Sequence, residues 1–416
     1  MRQMRWVRGA VPVSCAGAAL VGLLLGGCAP AGDARPDKGG RTTASPVHSA
    51  SASPVDGPWR AWVSSLSAEK GPGACGATPH QVVCTTASGG FVGRSRADGT
   101  VNWAVPGSGG GKSGPLVLDS ADERAFTSSE RVLRAANLRR GVQAWSRQLP
   151  AGRVAVGLVA ADRTVYALDA PSDGGDDTDL ALGAYRASDG SPVWREELHA
   201  DPDGGLAAFG SRIYTTDGTK VTARDARTGT PTATTPPGTE CPRLLSGGRY
   251  LVCTGSPASA SDTFPPLRRL APATLRPLAT AEDSGMKPES GLVSPKGVLV
   301  LYEDSAEDPG AGAWNAYDLE RPRRLWSYPT SSQGAGLAHG RFVTFTDAYG
   351  PPKSRLISMD LRAGPEGTGA AAPRLSPPPR QAWDGERPAL IVPGGDAGHV
   401  VVAARIHPAL HSVPLP

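Results

Sequence analysis

Six cysteines carry most of the reactive chemistry in this sequence. Cys28 follows Leu25-Gly26-Gly27 at the end of an apolar run. Small residues ahead of a cysteine let a peptidase reach the bond. The cysteine thiol can be acylated, and after cleavage that cysteine becomes the new N-terminus. Cys15 lies inside the apolar run. The remaining four form two close pairs, Cys75 with Cys84 and Cys241 with Cys253. Outside the reducing cytoplasm such pairs close as disulfides. Zinc is the rival chemistry, but the spacings lack C-x-x-C and no histidine stands in a supporting pattern. Two disulfides are expected, and no metal site.

Other constellations are weaker. Gly109-Gly110-Gly111-Lys112-Ser113 invites a phosphate-loop reading, but Pro106 occupies the place of the first glycine that loop needs. The segment also joins two strand regions and opens no helix, so it lacks the dipole that holds phosphate. Two acidic stretches could hold calcium: Asp173, Asp176, Asp177 and Asp179, then Glu303, Asp304, Glu307 and Asp308. Neither has the EF-hand order, and a solvated loop is the better reading of each. His407 and His411 have the spacing of helical metal ligands, but Pro408 opposes a helix. No G-x-S-x-G elbow singles out a nucleophile. No catalytic residue is expected.

These groups must be delivered somewhere. Arg2, Arg5 and Arg8 precede the apolar segment 11–25, and the cleavage pattern ends at Cys28. This is the layout of a bacterial lipoprotein signal, so residues 1–27 are expected to be removed. No later segment has the uninterrupted apolar length of a membrane helix. The membrane partner is therefore reached through the acyl chains on Cys28, and two or more chains anchor stably. Residues 28–57 are rich in Ala, Gly, Pro and Ser and read as a disordered tether. Residues 58–416 remain for the fold.

That region repeats a phrase, hydrophobic-x-Trp-x-x-x-Leu, about every 40–50 residues. The copies are 60–66, 101–107, 143–149, 192–198 and 324–330, with Trp62, Trp103, Trp145, Trp194 and Trp326 at their centres. One period divides into four short strands, A to D. In the third, A is 153–160, B is 164–170, C with its turn is 179–190, and D is 191–198. Alternating apolar residues and Gly, Asp and Pro boundaries favour strands. Gly in the C–D turn supplies positive φ, and the Trp in D offers a flat surface between neighbouring sheets. The predicted architecture is all-β, a propeller of four-stranded blades.

Weaker copies at 220–229, 268–275, 314–321 and 355–364 bring the count from Trp103 to Leu375 to seven blades. The first phrase is a D strand with nothing before it. The C-terminal segments 388–394, 399–406 and 409–415 look like A, B and C with nothing after them. Joining the two ends predicts an eighth blade and a closed ring without exposed edges. Seven blades is the alternative. In this register Cys75 and Cys241 fall on A strands, and Cys84 and Cys253 on B strands.

The phrases VYALDA (165–170), ARDARTG (223–229) and AYDLER (316–321), together with the Trp strands, resemble the PQQ-like, quinoprotein-type propeller repeat. The resemblance covers about 60–416. With the signal, the chain resembles a PQQ-like repeat lipoprotein. Such proteins include a periplasmic lipoprotein of the outer-membrane protein assembly machine and many extracytoplasmic proteins of Gram-positive bacteria. Quinoprotein dehydrogenases of the superfamily carry an adjacent Cys-Cys disulfide and a calcium site of Glu, Asn and Asp. No adjacent cysteine pair exists here, and no calcium ligands map onto this chain. No cofactor is expected, PQQ and calcium included.

The formal charge is +4, of which Arg2, Arg5 and Arg8 leave with the signal. The mature chain is close to neutral and has no electrostatic footprint for nucleic acid. A length of 416 residues suits one ring with many small cores. Long B–C insertions at 171–178, 256–266, 303–312 and 347–353 should crowd one face, where a protein or cell-envelope polymer could dock. The expectation is a monomeric, non-catalytic binding or scaffold lipoprotein on the outer side of the cell membrane. A quinoprotein-type oxidoreductase and a solute- or polysaccharide-binding lipoprotein are the competing readings.

Overall fold

The computed structural model describes residues 57–66, 73–107, 113–172, 179–199, 204–254, 267–281, 286–304, 312–346, 354–378, 389–393, 397–404 and 408–416. They build eight four-stranded antiparallel sheets arranged as the blades of a ring. Blades 1 to 7 span 75–105, 113–148, 153–199, 206–234, 243–280, 287–329 and 335–375. Blade 8 combines Ala389–Ile391, His399–Ala404 and Ala409–Pro414 with Trp62–Ser65 from the other end of the chain. Its D strand pairs Trp62 with Ser412 and Ser65 with Ala409. The ring closes as the sequence implies, and the seven-bladed alternative is excluded.

Blade 3 shows how the sequence makes a blade. Strands A to D are Arg153–Ala161, Thr164–Pro171, Asp179–Arg186 and Pro192–His199. Only D is largely open to solvent. The B and C strands are buried on both faces: Val165 to Asp169 and Leu180 to Tyr185 are all buried. Simple alternation therefore fails in B and C. Those strands are sandwiched between neighbouring blades, so they read as continuous apolar runs. Among the described residues the buried apolar clusters number eight, one for each seam between blades. The core of this protein lies between its sheets.

A feature that the sequence pattern hides recurs in blades 1 to 6. The C–D pairing slips by one residue at Gly93/Arg94, Ala135/Ala136, Ala184/Tyr185, Ala223/Arg224, Arg269/Leu270 and Ala316/Tyr317. One extra D-strand residue sits opposite each slip. Such a bulge bends the strand and re-aims the side chains beside it. In blade 3 the extra residue is Val193, and the next residue is Trp194.

The Trp residues tie each blade to the next. The indole N–H of Trp145 in blade 2 donates to the Ala187 carbonyl in the C–D turn of blade 3, at 2.9 Å. Trp62, Trp194 and Trp326 do the same to Arg96, Ala226 and Leu361, at 2.9, 3.0 and 2.9 Å. In each receiving turn a glycine at positive φ lies under the ring: Gly99, Gly190, Gly229 and Gly364. A Cβ at Gly190 would stand 2.7 Å from the Trp145 ring, so only glycine fits. Trp103 differs. It donates to Gln81 Oε1 at 2.8 Å, and Gln81 Nε2 passes the contact on to the Leu138 carbonyl, also at 2.8 Å. Gly141 still receives its ring.

Blades 4, 5 and 7 have no Trp on their D strands, and other groups take its place. Tyr214 O–H and Arg212 reach the Pro272 carbonyl in the turn of blade 5. Arg269 donates to the Leu319 carbonyl of blade 6 at 2.8 Å. Ser358 donates to the Pro416 carbonyl beside blade 8 at 2.7 Å.

Both disulfides form. Cys75 and Cys84 are register partners on strands A and B of blade 1, with Cα atoms 4.1 Å apart. Cys241 bonds to Cys253, with Cα atoms 4.9 Å apart. Cys241 is not on strand A of blade 5, as the register implied. It lies ahead of that strand, Arg243–Gly247, in a bridge to Gly218 of blade 4. That displacement lets Thr216 of blade 4 donate to the Cys241 carbonyl at 2.5 Å, so the disulfide also steadies a seam that has no Trp.

Candidate functional site

Strand direction alternates, so the A–B and C–D turns share one face of the ring. On that face a cleft of about 800 Å³ crosses the seams of blades 2, 3 and 4. Its walls come from five separate turns. Asp122 and Arg124 belong to the A–B region of blade 2, Asp162 and Arg163 to that of blade 3, and Ser211 to that of blade 4. Arg186, Ala187 and Ser188 come from the C–D turn of blade 3, and Ala226 and Arg227 from that of blade 4.

The seam bonds hold this cleft rigid. The Ala187 carbonyl takes the Trp145 N–H. The Ala226 carbonyl takes both the Trp194 N–H and, at 3.1 Å, the Tyr166 O–H. Burial raises the Tyr166 pKa above its ordinary value, so its hydroxyl stays protonated and donating. Backbone bonds stitch the turns together: Ala187 N–H to the Arg163 carbonyl and Ala226 N–H to the Ser211 carbonyl, each 2.9 Å. Groups on such a frame need little reorganisation to bind.

The A–B turn of blade 3 is strained. Ala161 pairs with Thr164, which leaves Asp162 and Arg163 as a two-residue hairpin with φ of 47° and 60°. This hairpin type strongly prefers Asn-Gly or Asp-Gly. An arginine at positive φ costs about 1 kcal/mol or more. The cleft also gathers four guanidiniums, Arg124, Arg163, Arg186 and Arg227, against two carboxylates, Asp122 and Asp162. Val193, the bulge residue, is 44% exposed on the wall and adds an apolar surface. A smaller cleft of about 300 Å³ occupies the equivalent seam between blades 1 and 2, lined by His80, Gln81, Glu123 and Arg139.

Sequence reasoning missed this cleft, because its residues are ordinary turn residues taken one by one. The one available signal was a hairpin reading Asp-Arg where glycine is favoured. The residues that the sequence singled out go elsewhere. Cys28 and the insertions at 173–178, 255–266, 305–311 and 347–353 lie outside the described residues, as do Gly109 to Lys112 and His407. His411 is buried on the C strand of blade 8, where it faces the sheet register of Val63 and Val402. Asp179 is exposed, 3.5 Å from Arg153.

Glu303 corrects the solvated-loop reading. It is fully buried at the end of strand Val298–Asp304 and accepts the Tyr317 hydroxyl at 2.7 Å. A second buried carboxylate, Asp169, is clamped by Arg153 at 2.6 Å and by Arg195 at 2.5 Å. Its bond raises the Arg195 pKa, as charge pairing should. This cluster ties strands A, B and D of blade 3 and is structural.

The chain has no adjacent cysteine pair. Among the described residues no group of three or more His, Cys, Asp or Glu side chains could hold a metal ion.

No protein-family model and no curated protein matches the chain. Solved structures do match. BamB from Moraxella catarrhalis is 13% identical, with a TM-score of 0.55 over 85% of this chain and 98% of its own. Sqt1 from Saccharomyces cerevisiae is 12% identical, with a TM-score of 0.59 over 83% of this chain and 96% of its own. The quinohemoprotein alcohol dehydrogenase of Comamonas testosteroni is 11% identical, with a TM-score of 0.55 over 86% of this chain and 76% of its own. At such identities the likeness shows the fold alone, a β-propeller.

Proposed function

We propose that this chain is a lipid-anchored propeller that acts as a non-catalytic, protein-binding scaffold on the outer side of the cell membrane. The signal layout ending in Leu25-Gly26-Gly27-Cys28 supports the anchor, and the segment 28–57 supplies the tether. The observation that carries the binding role is the cleft of blades 2 to 4. Its turns are fixed by the seam hydrogen bonds, and its lining contains charged, hydroxyl and apolar groups but neither histidine nor cysteine. Such a mixed polar and apolar lining on a fixed frame supports recognition of a ligand. The fold alone is neutral, since one propeller scaffold hosts unrelated functions.

The experiment is membrane fractionation combined with in-cell crosslinking and affinity capture, with Cys28→Ala as the control. The expected result is a membrane-bound protein and a partner protein enriched only with the intact anchor. A soluble wild-type protein would remove the anchor from this account. A quinoprotein-type oxidoreductase is the second reading, favoured by the fold shared with the alcohol dehydrogenase. Quinone-dependent dye reduction by the purified chain would replace the first reading with the second.

A further inference from the structure

We propose that the cleft of blades 2 to 4 recognises an acidic peptide segment, whose carboxylates are held by Arg163, Arg186 and their neighbours Arg124 and Arg227. The proposal rests on the reading of this chain as a binding propeller and names the chemistry of its partner. A guanidinium is a planar fork that matches a carboxylate with two parallel hydrogen bonds. Among the described residues none of these four arginines forms a salt bridge. Elsewhere in the ring Arg153 and Arg195 pair with Asp169, Arg249 and Arg269 with Glu320, and Arg362 with Asp318. The cleft thus brings together four guanidiniums that form no salt bridge among the described residues.

The strained hairpin points the same way. Asp162 and Arg163 are the only consecutive non-glycine residues at positive φ among the described residues. The comparable hairpin of blade 7 uses glycine, His339 and Gly340 at 49° and 75°. Strain retained where glycine would relieve it is a mark of a residue kept for another purpose. That residue is Arg163, at the lip of the cleft.

The lining selects a peptide over a phosphate polymer. Asp122 and Asp162 repel a densely charged polyanion, yet they can accept the backbone N–H groups of a peptide. Val193 offers an apolar wall for a side chain between two acidic ones. A volume of about 800 Å³ suits a short segment rather than a folded domain.

The test is fluorescence anisotropy with the full chain in detergent micelles. The probe is a fluorescein-labelled hexapeptide of alternating glutamate and leucine, compared with its lysine–leucine counterpart. The glutamate peptide should bind and the lysine peptide should not, with affinity falling as salt rises. Arg163→Glu combined with Arg186→Glu should weaken binding by about tenfold or more. Arg321→Glu, exposed on blade 6, should leave binding unchanged. Arg163→Gly should weaken binding while raising the melting temperature, which a purely structural arginine would not do. Equal binding of both peptides, or no effect of the double charge reversal, overturns the proposal. So does tighter binding of a poly(glycerol phosphate) oligomer than of the glutamate peptide. These readouts do not depend on Cys28, so a failed anchor and a failed peptide site are distinguishable.

Discussion

Gly190→Ala tests how the ring is held together. Gly190 has φ of +72°, and a Cβ there would stand 2.7 Å from Cδ2 and Cε3 of Trp145. Two costs should add. Left-handed backbone costs a residue with a Cβ about 1–2 kcal/mol. Forcing a methyl into a packed seam costs about 1–3 kcal/mol more. Gly152 separates the two, because its φ is +71° and nothing lies within 4 Å of its Cβ position. Gly152→Ala should therefore cost only about 1–2 kcal/mol. Trp145→Ala should itself cost about 3–5 kcal/mol, since the ring is buried in the cluster of blades 2 and 3 and its N–H bond is lost. In that background Gly190→Ala should fall back to the cost of Gly152→Ala. The double-mutant cycle thus predicts a coupling of about 1–3 kcal/mol between Trp145 and Gly190. Urea unfolding followed by far-ultraviolet circular dichroism reads all five proteins. Equal costs for Gly190→Ala and Gly152→Ala, or a Gly190→Ala cost that ignores Trp145, would refute ring-on-glycine docking.

Three further outcomes are expected. Gln81→Leu should destabilise by about 1–3 kcal/mol in urea unfolding, because it leaves the Leu138 carbonyl and the Trp103 N–H without their partner. Glu320 accepts hydrogen bonds from Tyr250, Arg269 and Arg249, which lower its pKa from 4.5 to about 2. A depressed carboxylate pKa stabilises the fold above the unfolded value, and that contribution fades as pH falls from 4.5 toward 2. The melting-temperature gap between wild type and Glu320→Gln should therefore close across that window, and a gap independent of pH would contradict the pairing. Each disulfide closes a short loop, with sequence separations of 9 and 12, and removing either pair as a double Cys→Ser change should cost about 2–3 kcal/mol. Thiol titration of the native protein should find neither pair reactive.

What could be read in the sequence follows from how local each signal is. The Trp of strand D and the glycine of the next C–D turn are single residues with one physical job each, so their recurrence marks the blades. Two terminal pieces that each lacked partners foretold the closure at Trp62–Ser65. The disulfides were legible because both pairs are close in sequence. Other features need three dimensions. The bulge that re-aims Trp194 inserts Val193 without altering the apolar pattern. Gln81 relays the bond of Trp103 to Leu138 although it precedes that strand by a whole hairpin. Glu303 looks like one more acid in an acidic stretch, yet the ring buries it against Tyr317. The cleft draws on residues from Asp122 to Arg227, and no spacing rule connects five turns in three blades.

The most direct test of the account is site-specific photocrosslinking in living cells, with the crosslinker at Val193 in the cleft or at Val142 on an outer strand of blade 2. Both side chains are exposed, 44% and 48%, so reactivity alone cannot separate them. The account predicts one protein partner trapped at Val193, through a segment rich in Asp or Glu, and only when Cys28 is intact. Equal trapping at the two positions, or a Val193 product that survives Cys28→Ala unchanged, would contradict it.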